Sequence, residues 1–202
     1  TEQENIECNK LLNAACDINT GKPRFSKEEI EYIRKSCEIL EKSFYEVLPL
    51  IKVGITEKEI ASLLEKRYIE NGAEGVSFDT IVAFNENSAV PHHETSDKIL
   101  TDNSVILIDT GCKYNGYCSD YTRTFYIGNP SPKFKEVYNL VWGANELAEK
   151  LIKSGTDTKT ADGFAREYLE KNGYGKFSYL RYFLVPNGYH MGSNGNFEED
   201  VA

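Results

Sequence analysis

The sequence feature that most constrains the fold is a pair of strand-like runs between residues 105 and 127, joined by a tight turn. The first run, residues 105–108, is β-branched and apolar and stops at Asp109, while the second run begins directly after Asp120. Between them lies Asn115-Gly116, a dipeptide that favours a two-residue hairpin turn because both residues tolerate positive φ. The stretch therefore predicts an antiparallel β-hairpin.

This hairpin would bring two carboxylates together. With Asn115-Gly116 as the turn, Asp109 faces Thr122 and Gly111 faces Asp120, so that the two Asp side chains share one face. As diagonal neighbours their Cα atoms would lie roughly 7–8 Å apart. Two carboxylates there would repel each other, and a pair of divalent cations ~3.5–4 Å apart would offset that repulsion. Two alternatives stay open: both carboxylates lie in water at the strand ends, or a bulge shifts the alternation.

Composition and charge exclude some classes of partner. The 202 residues are 40% hydrophobic, which suits one large domain or two small ones with a sizeable core. A net charge of −9 argues against nucleic acid and against an anionic membrane surface. No apolar run is long enough for a transmembrane helix, and residues 1–12 lack the pattern of a signal peptide. We therefore expect no nucleic-acid partner and no membrane partner.

The cysteines indicate a reducing compartment. There are five, an odd number, and none forms a closely spaced pair of the C-x-x-C type. Cys112 and Cys118 flank the turn, but without a second Cys/His pair they are interpreted as buried or free thiols rather than zinc ligands. This usage is typical of the cytosol, so a cytoplasmic location is predicted.

The rest of the chain predicts an α+β arrangement. Residues 1–24 are polar and weakly patterned, as in an arm or the remnant of a linker, and residues 25–202 are expected to form one domain. Helix starts are predicted at the capping boxes of Ser26 with Glu29 and of Thr56 with Glu59, at Ser131-Pro132, and near residue 159. Helix stops are predicted at Gly54, Gly72, Gly155 and Gly173. Strands are predicted at residues 76–84 and 177–185.

The chain also repeats itself at an offset of 101 residues. Residues 50–54 align with 151–155, and Asn71-Gly72 aligns with Asn172-Gly173. A unit of helix, helix and strand therefore occurs twice, and two such units would enclose a central site. Counterparts of the hairpin carboxylates would fall near positions 210 and 221, so the second half is expected to be incomplete.

Taken together, these motifs resemble the pita-bread metallopeptidases, the family of methionine aminopeptidases and Xaa-Pro peptidases. The resemblance covers residues 25–175, while residues 176–202 depart from the pattern. It is carried by residues 54–60, 77–79, 87–92, 108–111 and 116–125. Residues 119–124, Ser-Asp-Tyr-Thr-Arg-Thr, are similar to the Xaa-Pro branch. The resemblance implies two pseudo-symmetric helix–helix–strand halves around a central antiparallel sheet, the second half being incomplete.

The resemblance also implies roles for individual residues. In that family two Asp, one His and two Glu side chains hold two metal ions, and Asp109 and Asp120 match the two Asp. His92 matches a histidine that hydrogen-bonds the substrate, the alternative being an ordinary loop histidine, which is favoured for His93. The metal-binding His has no clear match. The nearest candidate is His190, for which a loop or tail histidine is the alternative.

The function implied is that of a metal-dependent aminopeptidase that removes N-terminal residues from short peptides, with proline in the second position. Two divalent ions, Mn²⁺, Co²⁺ or Zn²⁺, are the implied cofactors, with a site left incomplete by the departing tail. The alternative is a catalytically inactive peptidase-like module that binds peptides or proteins. An unpaired strand edge would further favour a homodimer.

Overall fold

A computed structural model describes residues 25–153 and 156–175. The described residues belong to two compact units, residues 25–129 and residues 130–175. The predicted arm at residues 1–24, the predicted strand at 177–185 and the candidate ligand His190 lie outside the described residues. Their assignments stay predictions.

The first helix of the first unit is α1 (Lys27–Val47), which begins at the predicted capping box of Ser26 and Glu29. It does not continue toward Gly54, because a short 3₁₀ helix (Leu48–Leu50) follows at once. A proline within this 3₁₀ helix lacks the N–H that an α-helix would need there. The predicted helix end was therefore wrong by about two turns.

The second helix, α2 (Glu57–Glu70), begins at the other predicted capping box, of Thr56 and Glu59. Its apolar face includes Ile60, Leu64 and Tyr68, and these side chains are completely buried. Recurrence at every fourth position places them in one row along the helix, where they form a large part of the core.

In the described part of the chain, six strands form two antiparallel sheets. The first sheet has the order β1-β4-β5 and the second the order β2-β3-β6. The strands are β1 (Gly75–Val76), β2 (Ile81–Phe84), β3 (Ser104–Thr110), β4 (Cys112–Tyr114), β5 (Tyr117–Cys118) and β6 (Tyr121–Ile127). The single strand predicted for residues 76–84 is thus divided between the two sheets. A second 3₁₀ helix (Asn85–Ala89) occupies the predicted loop.

The register of the hairpin is the one that the Asn-Gly turn predicts. Asp109 pairs with Thr122 in one sheet, and Tyr114 pairs with Tyr117 in the other. Both turn residues have positive φ, 48° for Asn115 and 78° for Gly116. The same alignment of residue numbers holds in both sheets, so no bulge shifts it.

Successive side chains of β3 point to opposite faces of the sheet. Ile106 and Ile108 are fully buried and pack in the core with side chains of α1 and α2. Leu107 and Asp109 alternate with them and therefore point to the opposite face of the sheet. The first carboxylate of the hairpin lies on the face that is turned away from this core.

The described part of the second unit consists of α3 (Pro132–Leu151) and α4 (Thr158–Lys171). The first begins at Ser131-Pro132 as predicted but ends before the predicted stop at Gly155. Small side chains let the two helices approach closely. The buried set is Ala144, Ala148, Ala165 and Leu169.

The predicted repeat is visible in α2 and α4, which have equal lengths and start 101 residues apart. Their ends also match in hydrogen bonding. Ala73 N donates to Tyr68 O after α2, and Tyr174 N donates to Leu169 O after α4, both at 2.9 Å. Equal lengths and equal caps at one offset agree with two related halves.

Candidate metal centre

Asp109 is held by the central strand of the second sheet. On β3 it pairs with Ile81 of β2 on one side and with Thr122 of β6 on the other. The hydroxyl of Thr122 donates to Asp109 Oδ1 at 2.8 Å. Since its backbone is fixed on both sides and one carboxylate oxygen is already oriented, Asp109 is a preorganised acceptor.

Asp120 lies between β5 and β6 and is half-buried. Its carboxyl group is hydrogen-bonded to that of Asp109. Burial, the negative charge of Asp109 and this hydrogen bond raise the pKa of Asp120 from its ordinary 3.8 to about 6. The structure therefore brings the two predicted carboxylates into contact, and neither lies in open water.

A glycine explains how closely the two arms of the hairpin approach. A Cβ at Gly111 would collide with the carbonyl oxygen of Ser119 and with Ser77 Oγ. The Ser77 hydroxyl donates to that same Ser119 carbonyl at 2.8 Å. The close approach lies directly beside Asp120, so only glycine at position 111 permits the observed arrangement of the carboxylates.

Behind the carboxylates, buried hydroxyl groups connect α1 to the hairpin. Ser36 Oγ donates to Cys112 O at 2.8 Å and lies within hydrogen-bond distance, 3.0 Å, of Ser119 Oγ. Burial raises the pKa of the Cys112 thiol. Cys112 is buried and free while Cys118 is exposed and free, which agrees with the interpretation of both as thiols. Sequence reasoning missed Ser36, because a serine on a helix face carries no sign of burial.

His92 lies in the loop between the second 3₁₀ helix and β3, where it is exposed and has a φ of 53°. Its predicted contact with substrate stays a prediction. His93, for which a loop role was favoured, has a defined partner. Its Nε2 lies 2.9 Å from Oε2 of Glu57.

Glu57 is a functional candidate that sequence reasoning did not single out. It is completely buried, although its place in the first turn of α2 is one where glutamate is normally exposed. Burial favours the neutral acid, but hydrogen bonds from Ser96, His93, the Phe84 amide and Asn87 outweigh it and lower the pKa to about 2. No local pattern distinguishes this glutamate from a solvated one.

The pair of carboxylates fits a divalent cation. Carboxylate oxygens are hard donors, and the raised pKa of Asp120 reflects a negative charge that a cation would offset. Within residues 25–153 and 156–175, no group of three or more His, Cys, Asp or Glu side chains has the geometry of a metal site. The two Asp residues are therefore candidates for part of a ligand set.

Comparison with known proteins identifies the family. The sequence profile of metallopeptidase family M24 matches residues 31–197. The chain therefore belongs to metallopeptidase family M24. An Xaa-Pro dipeptidase from Pyrococcus furiosus is 40% identical over 192 residues, which are 95% of this chain and 53% of that protein.

Solved structures agree with this assignment. An X-Pro aminopeptidase from Thermotoga maritima is 47% identical with a TM-score of 0.73, over 75% of this chain and 43% of that one. A prolidase from Pyrococcus furiosus is 41% identical with a TM-score of 0.72, over 75% of this chain and 45% of that one. The predicted pita-bread fold and the Xaa-Pro branch are thereby confirmed. The chain spans about half the length of these relatives.

None of the helices in the described ranges is long and apolar enough to cross a membrane.

Proposed function

We propose that this chain supplies Asp109 and Asp120 as two ligands of the metal centre of an Xaa-Pro peptidase. The substrate would be a short peptide with proline second, from which the N-terminal residue is removed. The observation that carries the proposal is the contact between two half-buried carboxyl groups, that of Asp109 on β3 and that of Asp120 directly before β6. The names of the relatives, an Xaa-Pro dipeptidase and an X-Pro aminopeptidase, support the substrate class.

The chemistry follows from these donors. Asp109 and Asp120 would contribute to holding a Mn²⁺, Co²⁺ or Zn²⁺ ion, which would act as a Lewis acid, lowering the pKa of water and polarising the peptide carbonyl. Thr122 fixes Asp109 by donating to one carboxylate oxygen. Asp120 has to release its proton before both carboxylates can bind a cation, since a protonated acid is a poor ligand.

His92 has a separate role in the proposal. Its imidazole N–H would donate to the oxygen of the scissile carbonyl, where negative charge develops during attack. The exposed loop position makes the ring accessible to a peptide.

The proposal includes a homodimer and a cytoplasmic location. The homodimer rests on the unpaired strand edge, and the location rests on the cysteine usage.

Calorimetric titration of the chain with Mn²⁺ tests the proposal. We expect measurable binding at pH 7.5 that is lost in Asp109→Asn and in Asp120→Asn, because each variant removes one anionic ligand. The matched control is Asp102→Asn, which changes an exposed carboxylate away from the pair. Binding that survives both hairpin substitutions would show that the cation is held elsewhere.

A further inference from the structure

Glu57 contacts both ends of the His92 segment, defined as residues 84–96. Its Oε1 accepts hydrogen bonds from Phe84 N and from Asn87 Nδ2, both at 2.8 Å. Its Oε2 accepts from Ser96 N at 2.9 Å and from Ser96 Oγ at 2.6 Å, and lies 2.9 Å from His93 Nε2. Two oxygens thus have five partners, which saturates the acceptor capacity of a carboxylate.

Charged side chains within and directly after the His92 segment are held in place as well. Lys98 Nζ donates to the carbonyl of Phe84 at 2.8 Å and pairs with Glu86 at 2.8 Å. The positive end of α2 also favours a negative charge at its first residue. Glu57 is therefore held as an anion by donors of the His92 segment and by its own helix, and a neutral side chain cannot reproduce these bonds.

The His92 segment is also attached to the strand beside Asp109. The Thr95 hydroxyl donates to Thr80 O at 2.8 Å and accepts from Val82 N at 2.9 Å. Val82 belongs to β2, whose first residue pairs with Asp109. The segment is thus connected through β2 to the carboxylate pair.

His92 itself has a backbone conformation that needs support. Its φ of 53° lies in the left-handed region, which residues other than glycine occupy rarely. Such a conformation persists where the surrounding structure enforces it. The next residue, His93, is held by its contact with Glu57.

We infer that Glu57 is a positioning residue: by binding His93 and Ser96 on one side and Phe84 and Asn87 on the other, it fixes the His92 segment. It would thereby set where the His92 imidazole lies. Glu57 does not touch substrate and acts through the segment. The inference deepens the proposed function and rests on it for the role of His92, whereas the fixing of the segment can be measured without any peptidase activity.

Glu57→Gln is the test variant, because glutamine has the same size. Its amide nitrogen must occupy one of the two Oε positions. Each position faces a backbone N–H, that of Phe84 or that of Ser96, and a backbone N–H cannot accept a hydrogen bond. In either orientation an N–H of the glutamine therefore faces a backbone N–H, so that two buried donors lie against each other. This releases one end of the His92 segment.

The measurement is NMR of chain labelled with ¹³C in its histidines, of which there are three. We expect the ring signals of His92 and His93, assigned with His→Gln variants, to shift to random-coil positions in Glu57→Gln. The amides of β3 should stay protected from exchange. Glu59→Gln is the matched control, since glutamine keeps that capping box and Glu59 contacts Thr56 rather than the segment.

A second pair of variants separates positioning from general stability. His93→Gln can still donate to Glu57 and should keep the His92 signal near its original position, whereas His93→Ala should shift it. An unchanged His92 signal in a folded Glu57→Gln or His93→Ala variant would overturn the inference. If Glu57→Gln unfolds, the comparison of His93→Gln with His93→Ala tests the inference by itself. Mn²⁺ binding is measured in parallel, because its absence would contradict the proposed metal centre and leave the NMR result standing.

Discussion

The ionisation of Asp120 depends on its burial and on its neighbour Asp109. Its pKa is raised from 3.8 to about 6, so the folded chain binds this proton more tightly than the unfolded chain does. The resulting stabilisation is fully present below about pH 4 and is lost as the pH rises through about 6. Without metal, the folded chain should therefore lose stability between these two values.

Asp120→Asn should stabilise the metal-free chain at pH 7.5. The asparagine amide can donate to Asp109 as the protonated acid does, and the like-charge repulsion disappears. We expect a gain of about 1–2 kcal/mol in the free energy of unfolding, a figure reduced for partial exposure of the pair. Urea unfolding at pH 7.5 and pH 4.5 measures it, and most of the difference should vanish at the lower pH. An equal effect at both values, or the same gain in Asp102→Asn, would contradict this explanation.

Single residues differ in how far the sequence predicts them. Asp109 and Asp120 were predictable because a two-residue turn sets the register and the register sets the face of every side chain. Glu57 and Ser36 were not, because their burial depends on segments far away in sequence: Ser36 contacts Cys112, and Glu57 contacts the His92 segment. Only the tertiary structure distinguishes them from ordinary polar residues of a helix.

Within the hairpin, Gly111 and Gly116 are glycine for different reasons. A Cβ at Gly111 meets backbone and the Ser77 hydroxyl, whereas a Cβ at Gly116 meets nothing and is disfavoured only by the φ of 78°. We expect Gly111→Ala to cost about 2–3 kcal/mol through overpacking. Gly116→Ala, the control, should cost about 1 kcal/mol through backbone strain. Urea unfolding compares them, and equal losses would mean that the close approach at Gly111 relaxes.

The N-caps of α2 and α4 provide a second test at the scale of elements. Thr56 accepts from the amide of Glu59, and Asp157 accepts from the amide of Thr160. Thr56→Ala should accelerate hydrogen exchange at the amide of Glu59, because that amide loses its acceptor. Asp157→Ala should do the same at the amide of Thr160. Thr56→Ser and Asp157→Asn keep an acceptor and serve as controls. Acceleration by the controls equal to that by alanine would show that capping is not the cause.

The starts of elements were easier to predict than their ends. Capping boxes and the Asn-Gly turn act within three or four residues, and the structure has them where the sequence places them. The end of α1 and the division of residues 76–84 were missed. The backbone of Ser77 donates to Gly111 O in the hairpin, a partner that no local pattern reveals.

For the whole chain, the offset of 101 residues was the most informative pattern. It predicted two related halves, and α2 and α4 agree with it residue by residue. The strand predicted for residues 177–185 would complete the comparison, but these residues lie outside the described part of the chain. The family was predictable because several short motifs occur in the right order, and the sequence profile matches residues 31–197.

Whether the 202-residue chain can catalyse hydrolysis depends on how many metal ligands the whole molecule brings together. In the described ranges, Asp109 and Asp120 are the two ligand candidates that the structure brings together. Two carboxylates cannot balance the charge of two divalent ions or fix both in geometry. Without a general base beside these two carboxylates, the rate would fall by a further factor of about 10²–10⁴. We therefore expect weak binding of a single Mn²⁺ ion and little or no turnover.

The assay is cleavage of an Xaa-Pro peptide with Mn²⁺ or Co²⁺, beside a peptide with methionine first and no proline. Both peptides should remain intact, and peptide binding without cleavage would favour the alternative of an inactive binding module. Tight binding of two ions with steady Xaa-Pro turnover would contradict the expectation. It would mean that residues 176–202 complete the site, in which case His190→Ala should abolish both the second ion and the activity, while His93→Gln should leave the ion count unchanged.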